Sequence, residues 1–244
     1  VLSAALAGTL GQSATRLDPH LSWSGPSRPH PFGCGEGGVD LLAVISRAVL
    51  FGVALAVTVA IVGFAIGTPL GAVAALARGR TERIVSRAAD LIQAFPTFLL
   101  ALVVLSAVRS PNRIHLAVVF SATAWAPFAR LALAETRILR GATFLEAAKA
   151  LGLGRSRVVL RHVIPQLLGV VAVQLASTAS AVVVSEAALA FVGLGPHDGV
   201  SLGAVMDQGV ASMLRAPHVL AAGALSIVLT SVSMLIAGRA LERA

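Results

Sequence analysis

Glu146, Lys149, Arg155, Arg157, Arg161 and His162 crowd into the longest charged stretch of an otherwise apolar chain, EAAKALGLGRSRVVLRHVIP, from Glu146 to Pro165. Catalysis by these groups finds no support. A phosphate-binding loop needs Gly-x-x-x-x-Gly-Lys-Ser/Thr. The sole lysine, Lys149, has neither that glycine frame nor a following Ser or Thr, so the chain does not bind ATP in that manner. The His-Glu-x-x-His of a zinc protease is absent. His20, His30 and Cys34 are metal-ligand types, but their spacing is unlike a closed zinc site. His197 and Asp198 together are too little for catalysis. With one cysteine, no intrachain disulfide is possible.

What the charged stretch can do is present a short helix to a partner. Thr143 can cap such a helix and Glu146, three residues later, can reach back to it. Phe144, Leu145, Ala148 and Leu151 then share one face, at spacings of three and four. That face is expected to seat in a groove, with Ala148 in the contact. Gly152 and Gly154 break the helix. A second short basic helix follows, and Pro165 opens the next long apolar helix, where proline is favoured.

The elements that hold this stretch are membrane spans. The 244 residues are 57% hydrophobic and only 12% charged, whereas a soluble domain carries about 25% charged residues. The net charge of +8 does not signal nucleic acid: the arginines cluster in loops between apolar runs and aromatics are scarce, which is the positive-inside pattern. The fold class is therefore an all-α membrane protein. Residues 1–10 read as the end of an incomplete first span, since a crossing needs about 20 residues. Residues 11–40, rich in Pro, Gly, Ser and His, form an external loop. Residues 41–77 would be about 55 Å long as one helix, so this segment must tilt, project or break, with Gly67-Thr68-Pro69 the natural break. Its small residues Gly52, Ala56, Gly63, Gly67 and Gly71 suit close helix packing, though such residues are also common in membrane helices.

The basic loop 78–87, with four arginines and Glu82, is expected on the cytoplasmic side. A span over 88–108 kinks at Ala94-Phe95-Pro96 and carries Asp90, pairing with Arg87, and Gln93. After an outer turn at 109–113, a span over 114–134 is broken by Pro127, with Arg130 toward its cytoplasmic end. The long basic loop 135–165 lies inside. In the span over 165–192, Gln174, Ser177, Thr178 and Ser185 make a polar stripe, with Glu186 near the outer end. Such a stripe either lines a translocation path or bonds across to neighbouring helices. Residues 193–217 are an external loop with a short amphipathic piece near Leu202–Leu214, and 218–237 form the last span. The count is six spans with both termini in the cytoplasm.

The spacing Glu146-Ala147-Ala148, Gly152 six residues after the Glu, and Pro165 thirteen after that Gly resembles the EAA loop of ABC importer permeases. HPFGCGEGGVD is similar to the peptide-permease pattern at His30, Pro31, Gly33 and Asp40, but Gly35 stands where an Asp is usual and Val39 where an Arg is usual. DLIQAFP, Trp125-Ala126-Pro127 and Arg130 also resemble that family, and SEAALAFVGLG resembles its second permease subunit. The resemblance implies a type I ABC importer permease of the dipeptide, oligopeptide and nickel family, located in the cell membrane. It implies coupling to ATPases through Glu146, Ala147, Ala148, Leu151, Gly152, Arg155 and Pro165. It also implies a heterodimer with a homologous permease, one or two ATPase subunits that bind ATP and Mg, and an external substrate-binding protein. This chain would bind no cofactor or metal itself and would not be an enzyme. A stand-alone secondary transporter would instead need a midplane ionisable group or repeated halves with broken helices. A scaffold that only binds an ATPase is a third possibility. Peptide is the leading substrate, with nickel or another small solute as the alternative.

Overall fold

The computed structural model describes residues 17–197 and 199–242, apart from the side chains of Lys149 and Ala150. The expected end of a first span over residues 1–10 lies outside the described residues, as do residues 11–16 of the expected external loop. Among the described residues the chain is helical, without strands. Its α-helices, in chain order, are α1 (Leu41–Ala77), α2 (Gly79–Ala94), α3 (Thr97–Ser106), α4 (Arg113–Leu139), α5 (Thr143–Ala150), α6 (Arg155–Val158), α7 (Ile164–Phe191), α8 (Leu202–Ala211) and α9 (Pro217–Glu242). A π turn, Val159–Val163, joins α6 to α7, so that Arg155–Phe191 is one long apolar segment. Among the described residues four helical segments are long and apolar enough to cross a membrane: Leu41–Ala77, Arg113–Leu139, Arg155–Phe191 and Pro217–Glu242. The pair α2–α3, bent by 71°, makes a fifth if it is one broken span.

Several sequence expectations are corrected. The Arg-rich segment 78–87 is helical from Gly79 rather than a loop, because no breaker occurs before Phe95-Pro96 and one face, with Val85 and Ala89, finds a buried seat. The chain turns into it at Arg78, φ 59°, and Gly79, φ 63°. The kink expected at Ala94-Phe95-Pro96 is the 71° bend. Neither Pro69 nor Pro127 breaks its helix: α1 and α4 run through them. Neighbouring helices can hold a proline-bearing helix together in an apolar setting. Pro165 stands in the first turn of α7, as expected, although that helix continues directly from the turn before it. It follows the π turn, where Ile164 N donates to Val159 O, and the wider turn relieves the clash that the proline ring would make with the carbonyl one turn back.

The residues divide into two compact units, and α1, α3, α4, α7 and α9 each contribute residues to both. One unit, among the described residues, comprises 56–101, 117–180 and 234–242. Its main core joins Ala72 of α1, Phe128 and Ala132 of α4, Leu145 and Ala148 of α5, and Val158, Val159, Val163, Leu167 and Val171 of the α6–α7 segment. Phe64 and Phe128 meet edge to face, with ring centroids 6.5 Å apart. The seam between α1 and α4 depends on missing side chains. A Cβ at Gly63 would come within 2.8 Å of the Ala124 carbonyl oxygen, and one at Gly67 within 2.8 Å of Phe128 Cβ. Gly71 lies equally close to Ala129. These three are the packing glycines; Gly52 has open space beside it.

The other unit, among the described residues, comprises 17–55, 102–116 and 181–233. Its core gathers Leu41, Ile45, Ala48, Ala187, Leu202, Val205, Ala216 and Val219. The amphipathic piece expected near Leu202–Leu214 is α8, which starts at Ser201, whose hydroxyl accepts from Gly203 N at 3.1 Å. Gly203 packs its backbone on the Ala187 carbonyl, and a Cβ at Gly209 would lie 2.6 Å from Leu220 Cα.

Candidate functional site

The charged loop folds as a short helix closed by a glycine. The Ala142 carbonyl accepts from Leu145 N and Glu146 N, so Thr143 is already inside the helix and the capping position falls one residue earlier than expected. At the other end Leu153 N donates to Ala148 O at 3.1 Å, and Gly152 adopts φ 70° between them. This is the six-to-one bond of a Schellman ending, in which the left-handed position suits glycine. Gly154 plays a different part from the one expected. Its φ is −64°, and its carbonyl accepts from Val158 N at 3.1 Å to start α6.

Burial sorts the candidate coupling residues into two groups. Leu145 and Ala148 are turned into the core, 1% and 5% exposed, with Phe144 and Leu153 against them. Glu146, Ala147, Gly152, Arg155 and Pro165 are exposed. Leu151, expected on the face of Leu145 and Ala148, is 78% exposed. The helix ends before Leu151, so helical periodicity no longer governs its direction, and Leu153 covers the core instead. Ala148 is therefore core and not an outward contact. The exposed residues Glu146, Ala147, Leu151, Gly152 and Arg155 form the outward side of the loop.

The loop is tied to its unit by charge as well as packing. Glu82 of α2 accepts from Arg137 Nε at 2.6 Å and from Arg140 Nη2 at 2.6 Å. Arg140 also donates to the Ala75 carbonyl at the end of α1. Sequence reasoning missed this clamp. Its only signal was a lone acid among four arginines in RGRTERIVSR. Asp90 pairs with Arg130 of α4 at 3.0 Å, not with Arg87. Gln93 donates to its own helix at Ala89 O, 3.3 Å.

The polar positions of α7 separate. Gln174 Nε2 donates to Thr178 Oγ1 at 3.1 Å, which satisfies part of the stripe within one helix. Ser177 is exposed and Ser185 half-buried. Glu186 is only 2% exposed, faces the Ser201 side chain, and has Oε1 without a hydrogen-bond partner. It packs where α7 meets the start of α8.

The His-Pro-Phe-Gly…Asp pattern also gains a role that the sequence did not reveal. His30 Nδ1 lies 2.8 Å from Asp40 Oδ2, and Asp40 Oδ1 accepts from Leu42 N at 2.8 Å, capping α1. His218 of α9 stands beside Gly33, with its Nε2 3.4 Å from the Cys34 carbonyl oxygen.

The long apolar helices define a multi-pass membrane protein. Residues 67–244 match the family described as the binding-protein-dependent transport system inner membrane component. Over 224 residues the chain is 34% identical to the glutathione transport system permease protein GsiD of Shigella dysenteriae serotype 1, covering 91% of this chain and 73% of that protein. It is 30% identical over 223 residues to GsiD of Pectobacterium atrosepticum, covering 90% and 73%. Among solved structures, a chain of the inward-facing MetNI methionine ABC transporter superposes with a TM-score of 0.68 at 21% identity, over 82% of this chain and 95% of that one. The chain belongs to the binding-protein-dependent transport system inner membrane component family and is a permease subunit of an ABC importer. The expected type I importer permease fold is present. Family membership sets aside the reading of a transporter acting alone.

Proposed function

We propose that this permease carries a short peptide, of the dipeptide to oligopeptide class, across the cell membrane. Relatives about a third identical over nine-tenths of the chain are named as glutathione permeases, and glutathione is itself a small peptide. In this reading the chain pairs with a homologous permease, receives substrate from an external binding protein, and is driven by ATPase subunits that bind ATP and Mg. The N- and C-termini and the loop 135–165 face the cytoplasm.

The observation that carries the coupling reading is the two-sidedness of α5. Leu145 and Ala148 hold the helix in a core shared with α1, α4 and α7, while Glu146, Ala147, Leu151, Gly152 and Arg155 are presented outward. An ATPase groove that grips the outward side moves the inner side with it, because a close-packed core transmits displacement. Closure of the ATPase pair then tilts the spans toward the outward-open form. Gln174, Ser177, Thr178 and Ser185 are the path-lining candidates, whereas the buried Glu186 packs against the start of α8.

The test is purification of the tagged chain from its own membranes, with and without crosslinking, followed by mass spectrometry and by peptide uptake in the same cells. A second multi-span permease, ATPase chains and peptide uptake that depends on this chain are expected. A chain that purifies alone under both conditions would sink the coupling reading. Normal peptide uptake in its absence would sink the substrate reading.

A further inference from the structure

Helix α2 carries Arg80, Arg83 and Arg87 at spacings of three and four, all exposed. With Ile84 they border a groove of about 230 Å³. The helix is seated by its other face, through Glu82, Val85 and Ala89. That seating uses up its acids: Glu82 holds Arg137 and Arg140, and Asp90 holds Arg130. Among the described residues no ion pair involves Arg80, Arg83 or Arg87; Arg83 Nε makes one weak bond to Gly79 O at 3.4 Å. Three cations at helical spacing repel each other, so an anion bound among them removes a cost that the fold leaves standing.

The outward face is also apolar. Ile84 is 67% exposed and Leu91 66% exposed, on the same side of α2 as the arginines. The chain then bends through 71° into α3, whose Leu99, Leu100 and Val103 are exposed in turn. A dissolved phosphate would use the arginines and leave Ile84 and Leu91 in water. A lipid uses both, since its headgroup carries the charge and its chains meet the apolar side chains.

We propose that Arg80, Arg83 and Arg87 form a binding site for the phosphate headgroup of an anionic phospholipid, with Ile84 and Leu91 against its acyl chains. The site depends on the membrane placement of the chain and not on its substrate or its coupling. The tagged chain, extracted with its partners, is reconstituted in nanodiscs of phosphatidylcholine with increasing phosphatidylglycerol. Bound phosphatidylglycerol is then counted by native mass spectrometry. Arg80→Gln, Arg83→Gln and Arg87→Gln should each lower the apparent affinity about fivefold, and should act together. An equal-charge control, Arg28→Gln with Arg109→Gln and Arg215→Gln, should leave binding unchanged. Inorganic phosphate should not displace the lipid. Retention of the lipid by the triple variant, an equal loss in the control, or displacement by phosphate would each overturn the site. Loss of a co-purifying ATPase with lipid binding intact would make this face a protein contact instead.

Discussion

Ala147 and Ala148 are neighbours with opposite duties. Ala148 is 5% exposed in the core beside Leu145. Ala148→Trp should overpack that core, costing about 1–3 kcal/mol or more, and should appear first as a lower yield of folded protein. Ala147→Trp points outward and should leave folding unchanged while abolishing peptide uptake, with ATP hydrolysis uncoupled from transport. Uptake and a thermal-stability assay on both variants separate the two effects. Normal uptake in Ala147→Trp would remove the outward side of α5 from the coupling surface. The glycines divide in a similar way. Gly152 has φ 70° and nothing within 4 Å of an added Cβ, so Gly152→Val meets backbone strain alone, about 1–2 kcal/mol. The same change at Gly154, with φ −64°, should be tolerated by the backbone. A larger loss of uptake in Gly152→Val than in Gly154→Val is the expected pattern, because only the first re-aims Leu151 and Arg155.

At the scale of elements, the α1–α4 seam and the Glu82 clamp set how α5 is held. Gly67→Ala places a methyl against Phe128 and the α4 backbone and should destabilise the protein by about 1–3 kcal/mol. Gly52→Ala, in open space within the same helix, should stabilise it by about 0.5–1 kcal/mol. Thermal denaturation of the two variants in one detergent compares them directly, and equal effects would contradict the seam. Glu82→Gln takes the charge from a carboxylate that two guanidiniums share at 2.6 Å. The expected loss is about 1 kcal/mol, held down by the half-exposed Arg137. It should come with faster hydrogen exchange over 135–150.

At the scale of the whole molecule, membrane orientation is open to a chemical test. Cys34 is the sole cysteine and is buried, so it should react slowly with a membrane-impermeant thiol reagent until the protein is denatured. Single exposed positions can then be labelled over that low background. Arg80→Cys, Leu151→Cys and Arg239→Cys should react in inside-out vesicles. Arg28→Cys and Leu214→Cys should react in right-side-out vesicles. Labelling of Leu151→Cys and Leu214→Cys from the same side would contradict a crossing by Arg155–Phe191 and with it the proposed topology.

The sequence by itself determined the class of protein. Long apolar runs with few charges cannot form a water-soluble core, and in lipid the backbone must satisfy its own hydrogen bonds, so helices were the outcome. Spacing alone located a short helix beginning near Thr143 and ended by Gly152 and Gly154, because both are local properties of the backbone; only Gly152 proved left-handed. Tertiary structure decided which side of each helix is used. Periodicity put Leu151 with Leu145 and Ala148, but the chain leaves the helix before it reaches Leu151. Pro69 and Pro127 looked like breaks because the rule for a lone helix ignores neighbours that hold it together. Asp90 looked like a partner for Arg87, its neighbour on the same helix, and finds Arg130 on another. Glu82, Arg137 and Arg140 are 55 or more residues apart in sequence, counted from Glu82, and no local pattern links them. Contacts of that kind depend on how whole helices pack, and helix packing is set by shape across the bundle rather than by any one stretch of residues.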